Sequence, residues 1–409
     1  MKMSVAIVGA SAAGVAAALA LREQGFDGTI SLIGAENRLP YDRPAVSKDI
    51  LLTGAVPLIV PASAYEDNRI ELRTGVRVTS LETRTGTMML DDGTQLRADK
   101  VLLATGGRVR QLAVPGASLD RLYYVRSADD AEAIRRNLRA GARVAVIGGG
   151  LIGAEVAASA IQAGCSVDWI EAGFRCLTRA LSHPFDTFFM DLHRQKGVRI
   201  HLRSEVARIL GDAVVTGVAL SDGRRIDADM VVVGIGIVPE TRLAEASGIH
   251  VNNGIVVDEY CMTSAPNVYA AGDVARHQTR YMSAPGRLEH WRHAQEHGAA
   301  AAAAMLGHGQ PYAMVPWFWT DQYEHHFEGC GLPQEGDVVV LRGVPAEGSA
   351  SAFYLRSGRL SAAASLNRPN DVRGAMRLIA SGLAVSAEAL RDPECDLRKL
   401  EKELKNVQA

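Results

Sequence analysis

Apolar residues along this chain gather into short runs that end on glycine. Val5 to Val8 leads into Gly9-x-Ser11-x-x-Gly14, and an alanine-rich stretch of helical character follows. A second apolar run, Thr29 to Ile33, closes on Glu36. The succession returns in RVAVIGGGLIGAEVAASAIQAGCSVDWIEAG: a strand from Val144 to Ile147, then Gly148, Gly150 and Gly153, a helix, and a strand ending at Glu171. Each copy later acquires another apolar strand with glycines, KVLLATGG at 100–107 and MVVVGIG at 230–236. Between the copies, VRSADDAEAIRRNLRAG reads as a helix with Ser127 as N-cap and Asp129 and Asp130 in its first turn. Further on, MTSAPNVYAAGDVA carries a strand into a Gly272-Asp273 turn. From about Trp317 the pattern changes to mixed strands and a charged terminal helix, LRKLEKELKN, whose outer face reads as solvated.

The glycine spacing has a chemical reason. Gly9 or Gly148 makes a tight turn, and the second position of the motif lets backbone approach a pyrophosphate. Gly14 or Gly153 lets helix and sheet close up, with the helix N-terminus facing the anion. Ser11, standing where the second copy has Gly150, is small enough to permit the same approach. Glu36 and Glu171 are placed to bond ribose hydroxyls. One such motif is a weak signal; two, each in strand–turn–helix–strand context with a Glu roughly 20 residues on, point to two dinucleotide-binding units. The expected fold class is α/β, with two Rossmann-like domains and a C-terminal α+β domain. The first domain is discontinuous, 1–110 and 238–316; the second is inserted at 111–237; the third occupies 317–409.

Composition narrows this little. A formal charge of −2 gives no reason to expect nucleic acid or a membrane surface as partner. The 40 glycines sit at the ends of apolar runs rather than in low-complexity tracts. Cys165, Cys176, Cys261, Cys330 and Cys395 are scattered with no C-x-x-C pair, which fits a reducing cytoplasm and neither a zinc ribbon nor a local redox disulfide. MKMSVAIVGAS reads as entering a strand at once, and the expectation is of no signal peptide. The apolar run Val144 to Gly164 contains Glu155 and Gln162 and reads as buried strand plus helix, not a membrane span.

Several longer stretches then resemble one family. LPYDRPAVSK (39–48), LLATGGRVR, VYAAGDVA, RLEHWRHAQEHG, VPWFWTDQY and LNRPNDVRGAMRLI resemble the two-dinucleotide-binding flavoproteins. Within them they resemble the ferredoxin reductases that serve cytochrome P450 and Rieske-type oxygenases. The resemblance implies FAD in the first unit and NAD(P)H in the inserted one, with electrons leaving singly to a 2Fe–2S ferredoxin. It implies that Arg43, Pro44 and Lys48 line the flavin, with Lys48 near N5 and Glu155 facing that lysine as the second catalytic residue. Asp273 would bond the ribityl–pyrophosphate region beside Gly272, and Trp319 would pack near the flavin ring. The resemblance also carries over Ala12, Ala13, Val78, Ala104, Thr105, Gly106, Arg126 and Trp291 as cofactor contacts. On the nicotinamide side it adds Leu151, Ile152, Gly234, Ile235 and Gly236. A carboxylate at Glu171 repels a 2′-phosphate, which favours NADH over NADPH, with Arg175 and Arg179 near enough in sequence to weaken the preference.

Rival chemistries leave different marks. Disulfide reductases of the same superfamily keep a cysteine pair near the flavin, and NADH oxidases and peroxidases a single one; between Gly14 and Lys48 there is none. A flavoprotein that reduces oxygen, quinones or rubredoxin stays open, as does a slow, nucleotide-responsive protein resembling apoptosis-inducing factor. HAQEH, His293 to His297, formally fits H-x-x-E-H, yet with no partner ligand set the reading is of solvated helix residues and no metal. His325 and His326 read as interface or surface residues, and Trp317 as a core aromatic. Arg356, Arg359, Arg368, Arg373 and Arg377 form either a solvated face or a docking site for an acidic ferredoxin, and the sequence leaves both open.

Overall fold

The computed structural model describes residues 2–178 and 180–408. The chain packs as two compact units: one is the chain up to Arg43 with Val56–Arg108 and Val238–Pro316, the other Pro44–Ala55, Val109–Ile237 and the chain from Trp317 onward. Residues 44–55 pack with the second unit rather than the first.

In the first unit five parallel strands lie in the order Val268–Ala270, Lys100–Leu103, Ser4–Val8, Thr29–Gly34, Ile70–Thr74. In the second the order is Leu122–Tyr124, Met230–Val233, Arg143–Ile147, Ser166–Ile170, Arg199–His201. In both, the strand that feeds the glycine turn is central, and its helix (Ala12–Glu23 or Leu151–Gln162) follows at once. Such all-apolar strands suit a sheet covered on both faces. Ile7, Leu32 and Leu102 are wholly buried in the first unit, and Ala145, Val167 and Val231 in the second.

The turns repeat at atomic detail. Gly9 and Gly148 have φ of +120° and +112°, a region that favours glycine. A Cβ on Gly14 would lie 1.8 Å from the Gly9 carbonyl oxygen, and one on Gly153 would lie 2.1 Å from that of Gly148. Any side chain there would push the helix off the sheet.

One feature was not anticipated from the sequence. Each copy carries a three-stranded antiparallel meander, Val78–Glu82, Thr87–Leu90 and Gln95–Arg97 in the first, and Val206–Gly211, Val215–Leu220 and Arg225–Asp227 in the second. The helix between the copies spans Ala128–Arg135 and starts on a reciprocal cap: Asp130 N–H donates to Ser127 Oγ and Ser127 N–H to Asp130 Oδ2. From Trp317 an antiparallel sheet runs Trp317–Gln322, His325–Gly331, Arg359–Leu366, Ser349–Arg356, Val338–Val344, backed by the helix Pro369–Ser381. Among the described residues no helix is long and apolar enough to cross a membrane.

Candidate functional site

The first unit holds a cradle at the head of the helix Ala12–Glu23. Ser11 is its N-cap in extended conformation, makes no side-chain cap bond, and no acidic residue follows in the first turn. The helix therefore offers backbone N–H groups and a positive dipole end that suit a phosphate. Ala12 and Ala13 are buried as the helix enters. Just past the C-terminal end of the parallel strand Thr29–Gly34, Glu36 accepts from Arg43 at 2.5 Å and from the Tyr41 hydroxyl at 2.6 Å. Asp273 also acts electrostatically on Arg43. Ala104, Thr105 and Gly106 follow the strand Lys100–Leu103, and Thr105 Oγ1 donates to the Glu240 carbonyl at 2.7 Å. Gly272 lies against Ala13, Trp291 begins the helix Trp291–Met305, and Val78 begins the first meander. Asp42 is the polar residue the sequence reading passed over: its Oδ1 is buried without a hydrogen-bond partner, and burial raises its pKa.

The second unit repeats the cradle. Gly150 is the N-cap of Leu151–Gln162 at φ −85°, and a Cβ there would meet nothing within 4 Å. Nothing in the chain itself demands glycine at that point, whereas a dinucleotide lying over the turn does; the residues fit the group. Ile152 is 38% exposed at the head of this helix, and Gly234, Ile235 and Gly236 follow the strand Met230–Val233. Glu171 closes its own loop, accepting from Gly149 N–H at 2.5 Å and Gly173 N–H at 2.6 Å. Arg175 is committed to Asp186 at 2.7 Å. Arg179 lies outside the described residues. Arg126 precedes the capped helix and its N–H donates to Asp130 Oδ2 at 3.1 Å.

Also in the second unit is a buried charged cluster. Lys48 Nζ stands 3.2 Å from Glu155 Oε1, the pairing the resemblance implies. Glu155 is 5% exposed and accepts from Ser47 Oγ at 2.5 Å and Thr320 Oγ1 at 2.7 Å. Burial raises its pKa, against the opposing pull of Lys48, Ser47 and Thr320. Lys48 also lies 3.5 Å from Asp321 and 5.5 Å from the Trp319 ring centre. Asp321 in turn takes a bond from Trp319 Nε1 at 3.1 Å and from His326 at 2.5 Å, and His326 reaches Glu328 at 3.0 Å. Held between two carboxylates, His326 has its pKa raised to about 9. From Thr320 the bonds continue through Gln322 to His193, whose burial lowers its pKa to about 4. Ser47, Thr320, Asp321 and His326 lie inside or just after LPYDRPAVSK and VPWFWTDQY, but nothing in those stretches assigns them these partners.

Other expectations are revised. His293 and His297 are fully buried, not solvated, and burial, with His277 close to both, holds them well below the usual imidazole range. Trp317 is half-buried and stacks on Trp319 at 5.2 Å. Of the five C-terminal arginines, Arg356 pairs with Asp337, Arg368 with Asp371, and Arg359 bonds the Gly382 carbonyl. Arg373 and Arg377 remain exposed, one turn apart on Pro369–Ser381. All five cysteines are free. Burial pushes Cys176, Cys261 and Cys330 up to about 12 and raises Cys165 and Cys395, so none is a ready thiolate.

Comparison with known proteins agrees over nearly the full length. Residues 3–298 match the family described as pyridine nucleotide-disulphide oxidoreductase, and residues 317–401 the one described as reductase C-terminal. The chain is 41% identical to the anthranilate 1,2-dioxygenase system ferredoxin–NAD(+) reductase component of Burkholderia cepacia, over 96% of this chain and 98% of that protein. It is 36% identical to putidaredoxin reductase of Pseudomonas putida, over 97% and 96%. Among solved structures it is similar to the covalent putidaredoxin reductase–putidaredoxin complex, with TM-score 0.93, 36% identity and coverage of 98% and 99%. The ferredoxin reductase for the CYP199A2 system from Rhodopseudomonas palustris gives the same score and identity, with coverage of 98% and 100%.

Proposed function

This chain belongs to the pyridine nucleotide-disulphide oxidoreductase family, and from that premise we propose that it is an NADH-dependent ferredoxin reductase feeding a P450 or Rieske-type oxygenase. Bound FAD supplies the conversion between a two-electron nicotinamide donor and a one-electron 2Fe–2S ferredoxin. The residues hold and orient. The first cradle, with Gly9, Ser11, Gly14 and Glu36, takes FAD, and the second, with Gly148, Gly150, Gly153 and Glu171, takes the nicotinamide nucleotide. Three domains with the boundaries expected above serve these tasks.

The observation that carries the reading is the Lys48–Glu155 pair together with five free thiols that are buried or half-buried. Where a disulfide enzyme would need a reactive sulfur, this chain fixes an ammonium by a buried carboxylate. Lys48 faces the flavin in this reading, and Ser47 and Thr320 hold Glu155 so that the ammonium cannot swing away. NADH is favoured over NADPH because Glu171 carries a negative charge where a 2′-phosphate would lie, and Arg175 is held by Asp186 instead of being free to receive one. The free cysteines favour the cytoplasm as its compartment.

The test mixes the flavin-loaded protein anaerobically with NADH or NADPH and follows bleaching of the flavin absorbance. Bleaching at least about tenfold faster with NADH, one charged contact's worth of discrimination, supports the assignment. Equal rates would overturn the role of Glu171.

A further inference from the structure

His293 and His297 stand one helical turn apart on Trp291–Met305 and present their rings to the same side. His277 reaches them from a separate segment that its own backbone clamps, exchanging both hydrogen bonds with Gly286 at 3.0 and 2.9 Å. The three side chains are 3%, 0% and 0% exposed. One nitrogen from each lies within 4.8 Å of the others, and Nε2 of all three is buried with no hydrogen-bond partner. Packing alone does not account for three polar atoms left unpaired around one point, since each forgoes the water it would otherwise bind.

We propose that His277, His293 and His297 form a site for one divalent transition ion of imidazole preference, with Zn2+ as its natural probe. Three neutral imidazoles and no carboxylate or thiolate select zinc-like ions over calcium or magnesium. Zinc at about 2.0–2.1 Å from each nitrogen sets them about 3.3 Å apart, so the rings close by roughly 1.5 Å from their widest separation. An outer contact already orients one of them. His293 Nδ1 bonds the Tyr312 hydroxyl at 2.8 Å, the arrangement that leaves Nε2 to the metal when Nδ1 is the donor. Gly272 N–H donates to His297 Nδ1 at 3.3 Å, which puts that ring's proton on Nε2. Metal binding moves the proton from Nε2 to Nδ1 and releases the Gly272 amide. Water takes the fourth position.

The site is not a peptidase centre. Glu296, the acid of H-x-x-E-H, turns away and bonds Arg292 at 2.8 Å. The ion therefore holds the helix Trp291–Met305 to the His277 segment, and its binding frees the Gly272 amide of the turn assigned to FAD.

The test uses the full-length, flavin-loaded protein purified from zinc-supplemented cells, with bound zinc measured by elemental analysis. About one zinc per chain is expected in the wild type, falling at least about tenfold in His277→Gln and in His297→Gln. Zinc-edge X-ray absorption of the wild type should show three imidazole ligands, a readout that survives if either variant fails to fold. Less than about a tenth of an ion per wild-type chain, undiminished zinc in the variants, or a spectrum without imidazole ligands would overturn the proposal. None of these readouts depends on the ferredoxin reductase assignment.

Discussion

Replacing Lys48 by Met removes the cation paired with the buried Glu155 carboxylate, and the structure sets the size of the effect. At 3.2 Å and an effective dielectric of about 20 the lost attraction is roughly 5 kcal/mol. The partly exposed ammonium recovers hydration in the unfolded chain, which brings the expected net loss to about 3 kcal/mol at pH 8. Glu155 escapes part of this by taking a proton. Its folded pKa is already raised by burial, and losing Lys48 raises it further above the unfolded value of 4.5. An acid in that position binds protons preferentially in the folded state, so the stability of the variant falls as pH rises through the window between the two values. The deficit should shrink as pH falls through that window, by at most about 1.4 kcal/mol per pH unit. Urea unfolding of the flavin-loaded protein at pH 5.5 and 8 measures it, and adding Glu155→Gln to the variant should recover most of the loss at pH 8. A deficit below about 0.5 kcal/mol, or one equal at both pH values, would refute the buried-pair account.

Glycines of the second cradle should separate folding from binding. Gly150→Ala should change stability by no more than about 1 kcal/mol yet weaken NADH binding about tenfold, whereas Gly153→Ala, with its Cβ 2.1 Å from a carbonyl oxygen, should fold poorly; calorimetric binding and urea midpoints distinguish them. Glu171→Gln should reduce the NADH/NADPH preference about tenfold, read from the KM ratio. His326, with a folded pKa of about 9 against 6.5, contributes stability that is fully present below pH 6.5 and lost as pH rises to 9. His326→Gln should therefore unfold at lower urea than wild type at pH 6.5 and converge with it above pH 9.

What the sequence made legible were features whose cause is local. The glycine turns at Gly9 and Gly148 and the cap at Ser127 depend on residues within a few positions, and all appear as expected. Both meanders were missed although each announces itself by an Asp-Gly turn, Asp92-Gly93 and Asp222-Gly223, with φ of +84° and +87° at the glycines. Non-local features were beyond reach in a different sense. Thr320 touches Glu155 across 165 positions, and nothing in WFWTDQY says which residue its hydroxyl meets. The Lys48–Glu155 pair came from family resemblance, not from spacing. His293 and His297 were read as solvated because an alanine-rich helix shows little contrast between its faces. Their partner His277 sits on another segment, so no local pattern joins the three.

The central claim is that electrons leave this protein singly to a ferredoxin. Cytochrome c reduction with NADH, the flavin-loaded protein and a 2Fe–2S ferredoxin tests it most directly. The account predicts fast reduction that needs the ferredoxin and saturates with it. Reduction equally fast without ferredoxin, or NADH consumed at full rate by oxygen alone, would contradict it.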